Sequence, residues 1–280
     1  MISVIDTHQH LWDLEQFPYS WCRNHPVLDR SFRLDDYLEA TKGAPIVKTV
    51  FMECDVDDPH QLDEAAHIQS LANQNPLIAG IIAGCRPEKE GFTAHLDALE
   101  RLPGVRGVRR VLHTMPDATS QSSLFVENLR QLARRHWTFD LCVLARQLPL
   151  AIALIEQCPD VSFVLDHCGV PDIKDRVFEP WRTEMARLAH FPNVVCKVSG
   201  LVAYADPETW TESDLRPWVE HVIAHFGWDR LLWGSDWPVC TQASSLQKWL
   251  RTAQSLVADA NREQQENFFM RNAERIYRLR

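Results

Sequence analysis

Residues 5–13 read IDTHQHLWD, and the fold turns on what stands there and what does not. The stretch closes a short apolar run, ISVID at residues 2–6, that has the composition of a strand. Alternate side chains of a strand share a face, so His8 and His10 project together while Thr7 and Gln9 turn the other way. A doubly wound sheet would usually carry a Gly-rich phosphate turn after its first strand. Here that position holds two imidazoles, with a carboxylate, Asp6, two residues ahead of them.

Seven further β-branched runs follow: IVKTVFME (46–53), IAGIIAG (78–84), VRGVRRVL (105–112), TFDLCVL (138–144), VSFVLDH (161–167), VVCKVSG (194–200) and RLLWGSD (230–236). Between them lie stretches with apolar residues at spacings of three and four, at 60–74, 91–102, 123–136, 145–158, 178–191, 214–227 and 244–257. Strands that alternate with helical crossovers form a parallel sheet buried on both faces. Eight of them close without leaving an edge, which predicts an α/β protein with a (β/α)8 TIM-barrel fold. No linker, low-complexity tract or longer repeat interrupts the alternation, so residues 1–280 read as a single domain. The longest irregular segment, 11–34, suits a packed loop over the barrel mouth.

Composition excludes some partners. The chain is 45% hydrophobic and 24% charged, an ordinary globular balance, and its net charge of −9 offers no attraction to nucleic acid or to an anionic membrane. No secretory signal and no run of about 18 apolar residues is visible, so a cytoplasmic location is expected. The eight cysteines are dispersed without a CxxC pair and read as reduced, buried small hydrophobes.

Active sites of such barrels lie at the C-terminal strand ends. There the chain places His8 and His10, then Glu53 and Asp55, then Arg109, Arg110 and His113. Asp166 and His167, Lys197 and Ser199, and Asp236 complete the ring. Each alone has a bland reading, as an interior hydrogen-bonded group or a turn cap. So many ionisable side chains around one opening are costly to bury unless they bind or catalyse. Adjacent strand residues face opposite sides, so one of Arg109 and Arg110 reaches the lumen, and strand parity favours Arg109. Trp12, Tyr19, Trp21 and Trp237 are candidates for an aromatic wall, with lid core the better reading for Trp12.

DTHQH at the first strand, LDHCG near the sixth and WGSDWP at the eighth resemble the amidohydrolase superfamily. IDTHQHLWD, YSWC, GVRRVLH, CKVSGL and LLWGSDWPV are similar to its amidohydrolase-2 branch, in order from residue 5 to about residue 277. That branch contains sugar lactonases such as L-fuconolactonase and L-rhamnonolactonase, and also 2-pyrone-4,6-dicarboxylate lactonase. The likeness assigns His8 and His10 to first-strand metal ligands, His167 to the sixth-strand histidine and Asp236 to the eighth-strand aspartate that takes a proton from the attacking water. Arginines replace the fourth-strand bridging residue and the fifth strand has no histidine, which speaks against a binuclear centre.

The resemblance implies a hydrolase for a small-molecule lactone, with His8, His10, His167 and Asp236 catalytic. Arg109, Glu53, Trp21, Lys197 and Trp237 are the expected substrate contacts. His8, His10 and Asp236 form a three-ligand set for one zinc-like divalent ion, although an activated ester also yields to metal-free hydrogen-bond donors. The histidines, protonated or metal-bound, would stabilise the oxyanion. The alternative activities are a 2-pyrone-4,6-dicarboxylate lactonase and a metal-dependent decarboxylase of the same branch, and a homo-oligomer is a further expectation.

Overall fold

The computed structural model describes residues 2–279. Eight parallel strands run in sequence order: β1 (Val4–Gln9), β2 (Ile46–Met52), β3 (Ile78–Gly84), β4 (Val105–Val111), β5 (Thr138–Cys142), β6 (Ser162–Leu165), β7 (Val194–Ser199) and β8 (Leu231–Gly234). Each expected strand is present, its ends within three residues of those expected. The sheet returns on itself where β8 meets β1: Asp236 N–H donates to the His8 carbonyl and His10 N–H to the Trp237 carbonyl, both at 2.8 Å. Alternating strands and helices therefore form a (β/α)8 barrel.

A carboxylate cements that seam. Asp6 Oδ1 accepts the Ser235 N–H at 2.7 Å and the His8 N–H at 3.1 Å, while Oδ2 accepts the hydroxyls of Ser235 at 2.5 Å and Tyr37 at 2.8 Å. Buried carboxylates are tolerated when their lone pairs are filled in this way. Gly234 permits the close approach, because a Cβ there would stand 2.6 Å from the Cβ of His8. Inside the barrel Ile5, Val50, Met52, Ile82, Val164 and Leu232 pack together, and Tyr277 and Leu279 from the C-terminal segment join them. Burying such side chains contributes roughly 1.5–3 kcal/mol each.

The seven expected crossover stretches are helical, at α2 (Gln61–Gln74), α3 (Phe92–Leu99), α4 with α5 (Ser123–Arg130, Leu132–Arg135), α6 (Leu148–Gln157), α7 (Trp181–Leu188), α8 (Glu212–Phe226) and α9 (Leu246–Leu256). Two helical regions lack an expected counterpart. The first is α1 (Leu34–Ala40), started by the Asp36 carboxylate on the Arg33 N–H. The second is α10 (Arg262–Glu266), joined through a π-helical turn at Asn267–Arg271 to α11 (Asn272–Ile276). A reciprocal cap between Asn261 and Gln264 starts α10, a polar segment with no apolar stripe to advertise it. All eight cysteines are buried and unbridged. No helix among the described residues is long and apolar enough to cross a membrane.

Candidate active site

Strand parity on β1 delivers His8 and His10 to the mouth of the barrel, their rings 4.9 Å apart. Asp236 meets them from the end of β8, with its backbone in the left-handed region at φ 57°. Its Oδ1 lies 3.4 Å from His10 Nε2 and 3.6 Å from His8 Nε2. His167 joins from beyond β6, also left-handed at φ 54°, its ring 4.4 Å from that of His8. Non-glycine residues held at positive φ concentrate at functional sites, where the surrounding fold enforces them.

The protonation of this cluster follows from its partners. His10 Nδ1 lies 2.9 Å from the Met52 carbonyl, which can only accept, so the proton sits on Nδ1 and Nε2 is bare. A lone pair on His10 thus faces a carboxylate oxygen, and Asp236 Oδ2 is buried without any hydrogen-bond partner. Two acceptors in contact beside an orphaned oxygen call for a proton or a cation between them. Burial pushes Asp236 up to about 6, against the pull of His167 and Arg109. Burial also drives His10 down to about 3 and lowers His8 and His167, so these imidazoles are neutral at neutral pH. Burial thus disfavours the protonated form of these histidines, one of the two forms, protonated or metal-bound, in which they were expected to stabilise an oxyanion.

Beneath His8 lies a second layer of charge. The Lys197 ammonium, wholly buried, is 2.8 Å from Asp140 Oδ2, 3.0 Å from Asp166 Oδ1 and 3.3 Å from His8 Nδ1. Tyr277 donates to Asp140 at 2.8 Å. Burial alone would raise Asp166, but Lys197 and His8 hold it well below the usual carboxylate range. Ligand atoms of His8, Asp166 and His167 also lie within 4.8 Å of one another, as do those of His8, His10 and Asp236. The first trio already has an ammonium against two of its members, so the second is the better cation site. His8 Nδ1 stands 3.4 Å from Asp166 and His10 Nδ1 donates to a carbonyl, which is how metal-binding imidazoles are oriented.

The cluster opens into a cavity of about 260 Å³ lined by His10, Trp21, His25, Asp55, Arg109, His113, Cys142, His167, Tyr204 and Asp236, among others. Arg109 faces it, whereas Arg110 turns to Glu88 at 2.8 Å. Arg109 Nε donates to Glu53 Oε1 at 2.7 Å and Nη2 to the Glu53 carbonyl at 2.6 Å, leaving Nη1 near His8 Nε2 at 3.4 Å and Asp166 at 3.5 Å. Trp21 lines the cavity, is 41% exposed, and is anchored by Nε1 on the Cys54 carbonyl. Trp12 is buried against Phe32 and Trp21, as lid core.

Three expected substrate contacts lie elsewhere. Glu53 is saturated by Arg109 and by the Asp55 N–H at 2.7 Å. Lys197 is sealed under His8, and Trp237 packs on Phe32 and Tyr37 away from the cavity. Sequence reasoning passed over Tyr204 and Cys142, which line the cavity, and Asp140, which holds Lys197. A charged residue inside the apolar run TFDLCV was the available signal for Asp140. Tyr204, at the end of a short 3-10 turn (Leu201–Tyr204) with no motif, offered none.

Comparison with known proteins places this geometry. A family model described as amidohydrolase matches residues 5–279. An L-fucono-1,5-lactonase of Burkholderia ambifaria is 30% identical over 85% of this chain and 81% of its own. An L-rhamnono-gamma-lactonase of Scheffersomyces stipitis is 22% identical over 91% of each chain. A crystal structure of an amidohydrolase from Burkholderia multivorans with bound zinc superposes with a TM-score of 0.91 at 26% identity, covering 99% of this chain and 100% of that one.

Proposed function

We propose, for a chain that belongs to the amidohydrolase family, that it hydrolyses a small, neutral, hydroxyl-bearing lactone of the sugar type to the open acid. The contact of His10 Nε2 and Asp236 Oδ1 at 3.4 Å, beside the partnerless Asp236 Oδ2, carries this reading. It is an acceptor pair that can take a proton from water at the edge of a cavity the size of one sugar ring.

Asp236, ionised above about pH 6, removes the proton from a water lying against Oδ2. That water attacks the ring carbonyl and the charge moves to the carbonyl oxygen. Arg109 is the cation lining the cavity, with Nη1 directed toward the cluster. Asp236, now protonated, returns the proton to the ring oxygen as the C–O bond breaks, giving carboxylate and alcohol. His8, His10 and Asp236 fit a divalent ion of the zinc class, since they are two oriented imidazoles and a carboxylate with a free oxygen. When bound, such an ion acidifies its water and polarises the carbonyl. The relatives that act on sugar lactones and the zinc-bound neighbour support both parts of the reading.

The charge pattern favours a neutral ring over a dicarboxylate. Two donor positions of Arg109 are spent on Glu53, Arg110 leads outward and Lys197 is inaccessible. Asp236 lines the same cavity and, when ionised, would repel a dianion, whereas Asp55 is paired with Arg86 at 3.4 Å and Arg110 at 3.6 Å. The test is a pH-indicator assay on a panel of 1,4- and 1,5-sugar lactones and the pyrone dicarboxylate, with metal content measured before and after chelation. Acid release from the sugar lactones is expected. Release from the dicarboxylate alone would overturn the substrate class, and release from none would overturn the activity.

A further inference from the structure

One polar pair in the cavity wall is not used by the hydrolytic step. His113, just past β4, and Cys142, the last residue of β5, both line the cavity, and His113 Nδ1 lies 3.0 Å from Cys142 Sγ. Cys142 is 1% exposed, and among the described residues its sulfur has no other hydrogen-bond partner. Burial pushes this thiol up, so it keeps its proton at any working pH. That proton has one nitrogen to go to. A thiol donates weakly and accepts more weakly, so S–H donating to Nδ1 is the arrangement that leaves no buried hydrogen stranded. The imidazole is then the tautomer with its proton on Nε2, and no protein group among the described residues bonds that nitrogen.

Burial and Arg109 lower His113 to about 4, so it stays neutral where the enzyme works. It has no part in the cluster of His8, His10 and Asp236, and the thiol ties it to the neighbouring strand, β5. A neutral donor fixed in one tautomer offers its N–H at one point of the wall. It suits recognition of an uncharged oxygen, because a site built to bond a hydroxyl discriminates against the analogue that lacks it.

Resting on the lactonase reading above, we propose that His113, locked by Cys142, is a specificity residue that donates Nε2–H to a ring hydroxyl of the substrate. Cys142 is a positioning residue that acts through it.

The test uses the intact protein and pairs of sugar lactones that differ by the loss of one ring hydroxyl. The wild type prefers the hydroxylated member of one pair by roughly threefold to tenfold in kcat/KM, the size of one neutral hydrogen bond. In His113→Phe that preference falls toward unity, with the loss in KM rather than kcat. His113→Gln, which carries an N–H near the position of Nε2, restores part of it, and Cys142→Ala weakens it. Nitrogen-15 NMR of the wild type, with the His113 ring assigned by through-bond correlation to its own backbone, shows the proton on Nε2, and this stands even where a variant fails to fold.

A wild-type preference retained in His113→Phe, or a proton found on Nδ1, overturns the proposal while the lactonase reading survives. A wild type that opens no lactone overturns the lactonase reading and the proposal with it.

Discussion

Replacing Gly200 by alanine isolates how closely the catalytic groups are packed. Gly200 has φ 64° and ψ 4°, and a Cβ there would stand 2.5 Å from Asp236 Oδ2 and 2.8 Å from His167 Nδ1. Ordinary contact begins near 3.4 Å, so the carboxylate must retreat by about 0.9 Å and the imidazole by about 0.6 Å. The left-handed backbone itself costs alanine about 1–2 kcal/mol. A misplacement near 1 Å costs catalysis roughly 100-fold. Gly91 is the control: its φ of 83° and ψ of 1° are similar, yet a Cβ there meets nothing within 4 Å. Urea denaturation followed alongside lactone hydrolysis separates the two effects. Gly91→Ala loses about 1–2 kcal/mol of stability and keeps its activity. Gly200→Ala loses at least as much stability and about 100-fold in kcat/KM. Equal activities in the two variants would refute the placement of Asp236 and His167 against Gly200.

Four other outcomes follow from the same site. Asp236→Asn lowers kcat at least roughly 100-fold. In metal-stripped protein this variant also stabilises the fold above pH 6, because the native carboxyl, raised from 3.8 to about 6, holds its proton more tightly when folded and costs stability as pH rises through that window; thermal melts of both proteins at pH 5 and pH 8 check it. The metal-free wild type gains activity as pH rises through about 6, and a pH–rate profile flat from 5 to 8 would contradict Asp236 as the base. Lys197→Met strands Asp140 and Asp166 and destabilises by roughly 3–5 kcal/mol, read from the urea midpoint. His10→Ala reduces bound zinc after equilibrium dialysis, whereas His113→Phe leaves it in place.

The barrel was legible because its strands are short β-branched runs buried on both faces, which leave continuous apolar blocks between amphipathic helices. Helices α1 and α10 escaped because their starts rest on local caps at Asp36 and Asn261 rather than on an apolar stripe. His8 and His10 could be paired by strand parity, and Arg109 separated from Arg110 in the same way. Parity says which side a residue faces but not what meets it there. Glu53 was expected to touch substrate, and only the sheet order, with a single strand between β2 and β4, shows that Arg109 claims it first. Lys197 faces inward as a cation should, yet lies too deep, because Asp140 and Asp166 draw it under His8.

The seam at Asp6 bears on how the molecule is assembled. Its bonds to Ser235 join positions 229 residues apart, and Asp236 lies one residue further on. Loop-closure entropy must be overcome across nearly the whole polypeptide before that junction forms. A chain halted before β8 would lack Ser235 and Asp236, and with them both the clasp on Asp6 and one side of the cluster at the mouth. Competence arrives with the final clasp, which keeps half-made copies from opening esters.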